Sequence, residues 1–313
     1  MDFNTFFLLV SGLIRLVLGG NFLLKSAVSI SLRFNLPKLL IGMTVVSFAT
    51  SAPELIISLK SALLGSPDLA ISNVVGSNIA NIGLVLGLTI LFSPIKINRD
   101  VYKVNYPVMM FASLYFLVVI LDGVINRYEG FSLVCLLFIT IFFLIKIQKM
   151  SKEDIDLDVG SKESLSKSIL FLFVGAVFLY FGSDWFVTGS INLATSFGIS
   201  ERIIGITVVS IGTSIPELVT SMIAIYKKEK GISLGNLLGS NIFNVFAVLG
   251  ITSIVSPLIV GDMNIINFDI YIMLFFSAII FPLIFFPKKY LLGRIKGFII
   301  LSFYSFYIYN IFI

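Results

Sequence analysis

An all-α integral-membrane fold, with about ten transmembrane helices in two inverted-topology five-helix repeats, is predicted by three features of this sequence. Hydrophobic residues make up 58% of the 313 residues and charged residues only 12%. A soluble domain carries roughly a quarter charged residues, so this chain has too few to cover a water-facing surface. Apolar runs long enough to cross a bilayer recur from end to end. A long internal repeat then divides the chain in two.

The predicted spans are 4–25, 39–59, 69–92, 104–122, 130–147, 168–190, 203–226, 232–256, 268–287 and 295–312. The first contains Arg15 and ends without a small-residue cleavage pattern, so it reads as a retained span and not as a signal peptide. The only long hydrophilic stretch, Lys149–Lys167, contains Glu153, Asp154, Asp156 and Asp158. It sets the expected organisation: a first repeat at 1–148, a connecting loop at 149–167 and a second repeat at 168–313.

Charge placement orients the helices. With the N-terminus outside, the connections on the cytoplasmic side hold seventeen Lys and Arg residues, and those on the other side hold only Lys60, Arg127 and Arg202. By the positive-inside rule this expects a multi-pass protein of the cell membrane, with both termini outside and the long loop inside. The net charge of +5 comes from these flanks and does not indicate nucleic acid. The chain has no His and one Cys, Cys135. That excludes disulfide frameworks, zinc and iron–sulfur clusters, and any imidazole base. No enzyme activity and no cofactor are expected, and the chain is read as a monomer.

The repeat runs without a gap from Ile41 to Pro94 and from Ile204 to Pro257, and 24 of 54 aligned positions are identical. Five helices is an odd number, so the two halves must enter the membrane from opposite sides. In such transporters the binding site lies near the midplane, at the interface between repeats. Ser47, Thr50, Ser51 and Glu54 share one helical face, and Ser210, Thr213, Ser214 and Glu217 repeat them. Pro53 and Pro216 lack an N–H and loosen the preceding turn, which frees backbone carbonyls. One helix later come Asn73, Ser77 and Asn81, mirrored by Asn236, Ser240 and Asn244. All are hard oxygen donors suited to Na+ and Ca2+.

Small polar residues in membrane helices commonly serve packing, and that is the expectation for Thr44, Ser58, Thr207 and Ser221. Asn73, Asn78, Asn236 and Asn241 fit structural and binding roles equally. Glu54 and Glu217 are different. A carboxylate at membrane depth costs about 2.5–3.5 kcal/mol on insertion scales, and its default reading is functional. Asp184 reads as structural or interfacial, and Arg15 as snorkelling or ion-paired.

TSAPEL at Thr50–Leu55 with GSNIAN at Gly76–Asn81, and TSIPEL at Thr213–Leu218 with GSNIFN at Gly239–Asn244, resemble the motifs of the sodium/calcium exchanger family of prokaryotic type. The resemblance covers both halves. It implies ten helices in two inverted repeats and a secondary antiport of Na+ for Ca2+, at three Na+ per Ca2+. It places Ca2+ on Glu54 and Glu217 with backbone oxygens of Thr50 and Thr213. Sodium would add Ser51, Ser77, Ser214 and Ser240 with carbonyls of Ser47 and Ser210, and Asn81 and Asn244 would line the centre. Some relatives carry an acid where this chain has Asn244; with Asn on both sides, K+ dependence is not expected. The alternative is a Ca2+/H+ antiporter using the same glutamates. The two N-terminal helices of each repeat are the expected moving elements.

Overall fold

The computed structural model describes residues 3–148, 163–196 and 212–312. These form helices α1 (Phe3–Phe34), α2 (Lys38–Thr50), α3 (Ala52–Leu63), α4 (Pro67–Phe92), α5 (Val101–Ile120), α6 (Arg127–Ile147), α7 (Leu165–Ser196), α8 (Ile215–Tyr226), α9 (Lys230–Val255), α10 (Ile265–Phe285) and α11 (Arg294–Phe312). Seven are long and apolar enough to cross a membrane by length and composition. The number becomes eight if α2 and α3, bent by 43°, make one broken span. This is fewer than the ten spans expected. The segment predicted at 203–226 lies partly outside the described residues, which leaves only the twelve-residue α8. The helix predicted at 295–312 is present as α11, but Ser, Tyr and Asn make it less apolar.

Local chemistry sets the boundaries. Gly65, at φ +79°, closes α3 in a conformation that an L side chain rarely adopts. Pro67 then opens α4, where its missing N–H costs nothing. Asn126 caps α6 by accepting from Tyr128 N at 2.9 Å and Glu129 N at 3.1 Å. Glu129 Oε2 accepts from Asn126 N in return, at 2.8 Å, completing a capping box.

The helices sort by how much apolar surface they hide. α4 and α9 are enclosed on nearly all sides, whereas α1, α6 and α7 bury only a strip. On α6, Phe131, Phe138, Ile139 and Phe142 all point outward. An apolar belt of this kind is stable facing lipid and costly facing water. The central pair is therefore shielded from lipid, and a polar site there can be kept dry.

Contacts between the halves occur as matched pairs. α1 and α7 run antiparallel at backbone distance. Gly12 sits against Gly182 O and Phe186 N, and Gly19 against Gly175 O and Leu179 N. A Cβ at Gly19 would lie 2.9 Å from Gly175 O, so only glycine permits this approach. Ser26 Oγ continues the contact by donating to Ser168 O at 2.7 Å. Two short ribbons join the ends of the halves: β1 (Ile95–Lys96) pairs with β4 (Leu291–Leu292), and β2 (Val124–Ile125) with β3 (Leu258–Ile259). Among the described residues Arg15 pairs with no acid. Its guanidinium stacks on the Trp185 ring at 3.5 Å, a cation–π contact that α7 supplies. Asp184, beside it, is exposed.

Candidate functional site

The backbone break is the same in both halves. Ser51 sits at φ −85°, ψ 2°, and Ser214 at φ −90°, ψ 4°, each immediately before a helix whose first turn holds a proline and a glutamate. Helical geometry stops at the serine because the proline two residues on cannot continue the ladder. The new helix starts there, and its N-terminal turn points the glutamate into the protein. Glu54 and Glu217 are both fully buried. They are near enough to interact electrostatically.

α4 and α9 supply the rest. Each changes from α to π geometry at the asparagine of interest: Asn81–Leu86 and Asn244–Leu249 are π-helical. A wide turn of this kind displaces the backbone locally and is a common device at functional sites. Ser240 Oγ donates to Glu217 Oε1 at 3.3 Å, and Ser51 Oγ reaches the same oxygen from the other half at 3.5 Å. Thr50 Oγ1 lies 3.1 Å from Asn236 Oδ1 and 3.3 Å from Ser240 Oγ. The mirror contact, Ser77 Oγ to Thr213 Oγ1, is also 3.3 Å. Asn73 Nδ2 donates to Glu54 O at 3.3 Å and to Ser58 Oγ at 3.0 Å. Asn236 Nδ2 donates to Ser221 Oγ at 3.3 Å. Asn73 and Asn236 thus tie the site to the helix that carries each glutamate, a role that residue type alone left open.

Several buried oxygens accept nothing: Glu54 Oε1 and Oε2, Glu217 Oε2, Asn81 Oδ1 and Asn244 Oδ1; Ser214 Oγ is also without a hydrogen-bond partner. Buried polar atoms normally find partners, and unpartnered buried oxygens of this kind are hard donors of the type that Na+ and Ca2+ take. The ion pairs among the described residues, Lys38–Glu229 and Lys167–Glu163, involve neither site glutamate. Also among the described residues, no cluster of three or more His, Cys, Asp and Glu occurs. The donor set is thus two carboxylates with neutral oxygens.

Of the twelve residues expected from sequence, eleven fall in the described region, and Ser210 lies outside it. Glu54, Glu217, Thr50, Ser51, Ser77, Ser214, Ser240, Asn81 and Asn244 provide side-chain oxygens here. Thr213 joins through its contact with Ser77. Ser47 is buried, but its hydroxyl faces backbone carbonyls, Gly42 O at 2.8 Å and Asn236 O at 3.0 Å. Its side chain therefore fixes α2 against α9. One contributor was not foreseen: Ser183 on α7 donates to Gly212 O at 2.9 Å, just ahead of Thr213. Its counterpart in the first half is Gly20, so the repeat could not reveal it.

Known proteins resemble this chain over most or nearly all of its length. A solved structure of the sodium-calcium exchanger NCX_Mj, soaked with Na+ and Ca2+, superposes with a TM-score of 0.83 at 29% identity, covering 98% of each chain. The sodium/calcium exchanger MaX1 of Methanosarcina acetivorans is 32% identical over 96% of both sequences. The inner membrane protein YrbG of Escherichia coli is 35% identical over 80% of this chain and 79% of its own length. The family model described as sodium/calcium exchanger protein matches residues 4–146 and again 167–313, and the chain belongs to that family of integral membrane proteins.

Proposed function

We propose that this protein is a secondary active antiporter that exchanges Na+ for Ca2+ by alternating access around a midplane site containing Glu54 and Glu217. The observation that carries the reading is the pair of fully buried carboxylates, placed among neutral oxygens that accept no hydrogen bond. An anionic pair in a low-dielectric interior is costly to leave uncompensated. One Ca2+ or several Na+ compensate it, and they compete because they use the same oxygens. A site that crosses the membrane only when compensated couples the two fluxes, which is what exchange requires. Support comes from one relative, MaX1, named as a sodium/calcium exchanger, and from the NCX_Mj structure soaked with both ions.

The architecture that goes with this function is ten helices in two inverted five-helix repeats, 1–148 and 168–313, joined by a cytoplasmic loop at 149–167. Both termini lie outside the cell membrane, and one chain is the transport unit. The antiparallel α1–α7 contact and the equivalent breaks at Ser51 and Ser214 support the inversion. Thr50, Thr213, Ser51, Ser214, Ser77, Ser240, Asn81 and Asn244 supply the remaining oxygens, with main-chain carbonyls of Ser47 and Ser210.

The test is radioactive calcium uptake into proteoliposomes containing the purified protein. An outward Na+ gradient should drive uptake, and a pH gradient without Na+ should not. Uptake driven equally by the pH gradient in the absence of Na+ would replace this reading with a Ca2+/H+ antiporter.

A further inference from the structure

The two asparagines at the centre, Asn81 and Asn244, are useful to a cation only if their amides face it with oxygen. An amide turned the other way presents an NH2 group, whose positive edge repels the ion. We infer that Asn78 and Asn241 are positioning residues that lock both amides oxygen-inward. This inference rests on the cation-site reading above.

The argument follows donors and acceptors from atoms whose nature is fixed. The backbone carbonyls of Asn78 and Asn241 can only accept. Asn78 Nδ2 lies 3.4 Å from Asn241 O, and Asn241 Nδ2 lies 3.3 Å from Asn78 O. Each side-chain nitrogen must therefore face the opposite carbonyl, which turns each Oδ1 the other way. Asn78 Oδ1 then meets the amide of Asn244 at 3.1 Å, and Asn241 Oδ1 meets the amide of Asn81 at 3.1 Å. Two oxygens cannot face each other there, so the partner atoms are the nitrogens. The Oδ1 atoms of Asn81 and Asn244 are what remain, and both are buried and accept nothing.

All four residues are buried, so water cannot supply a competing orientation. The lock is also reciprocal between halves. Each outer asparagine on α4 orients an inner one on α9, and the reverse. A one-residue rotation of either helix would break both. Orientation of ligands by a hydrogen-bonded outer layer typically carries about 10- to 100-fold in metal affinity.

The experiment measures Ca2+ binding to the full-length purified protein by titration calorimetry. Asn241→Leu removes the acceptor that holds Asn81 and should weaken Ca2+ binding by about tenfold or more. Adding Asn81→Asp should then restore most of the loss, because a carboxylate shows oxygen whichever way it turns. In the wild-type background Asn81→Asp should help less, since it sets a carboxylate oxygen against Asn241 Oδ1. A folded Asn241→Leu protein with unchanged affinity would overturn the inference. So would a weakened one that Asn81→Asp improves no more than it improves wild type, because a packing defect has no reason to be rescued there. The mirror pair, Asn78→Ser with Asn244→Asp, gives the same comparison with a polar replacement if leucine prevents folding. Glu54→Gln and Glu217→Gln separate the two levels. If they retain Ca2+ binding, the site itself is misassigned. If they lose it and the asparagine variants do not, only the lock fails.

Discussion

Glu54 and Glu217 stand at equivalent positions in nearly identical motifs, yet their surroundings differ. Glu217 Oε1 accepts from Ser51 and Ser240, while no side-chain donor reaches either oxygen of Glu54. The serines equivalent to those donors are present: Ser214 is without a hydrogen-bond partner, and Ser77 turns to Thr213. The repeat therefore duplicates the inventory of oxygens without duplicating the hydrogen bonds. A hydroxyl has one proton and several acceptors in reach, and small differences in packing decide which acceptor receives it. Side-chain hydroxyls brace one glutamate and not the other.

The largest expected effect does not distinguish the two. Glu54→Gln and Glu217→Gln each remove one of the two charges that compensate the ion, so each should lower Na+-driven Ca2+ flux by about 100-fold or more, several kcal/mol at the site. Flux assays in proteoliposomes check this, and a folded variant exchanging at the wild-type rate would take that residue out of the mechanism.

Stability without ions should separate them. Glu54→Gln removes a buried carboxylate that no side-chain donor reaches, whereas Glu217→Gln also disturbs the bonds from Ser51 and Ser240. The Glu54 variant should therefore gain more, by about 1.5–3 kcal/mol, the usual worth of a hydrogen bond to a charged group. Thermal or denaturant unfolding in Na+- and Ca2+-free buffer measures the difference. Equal shifts, or a larger gain at Glu217, would mean that the asymmetry has no energetic content.

The serines offer the finest comparison. Ser240→Ala deletes a donor to Glu217, but Ser77→Ala deletes only a contact with Thr213. Ca2+ affinity should fall about fivefold in the first, near 1 kcal/mol, and by less in the second. If Ser77→Ala is the more damaging to Ca2+ affinity, the oxygen that Ser77 gives the site outweighs the hydrogen bond from Ser240 to Glu217, and the hydrogen-bonding argument gives way to coordination.

Much of this was legible in the chain itself. Charge depletion and span length place it in a membrane, because a bilayer tolerates little else. The repeat at constant offset finds both glutamates, and helical spacing puts Thr50, Ser51 and Glu54 on one face. These properties are local, and a 3.6-residue period encodes them directly. Tertiary structure decided what joins residues some 160 positions apart: Ser51 reaching Glu217, Asn241 orienting Asn81, and Arg15 stacking on Trp185 instead of pairing with an acid. The amide orientations are the plainest case. The sequence assigns Asn81 to the site and leaves Asn78 open between structure and binding, and only the meeting of α4 with α9 makes Asn78 a brace and leaves the oxygen of Asn81 free. Helix identity follows from periodicity, but the partner of each polar group follows from which faces pack together, and no pattern within one helix carries that information.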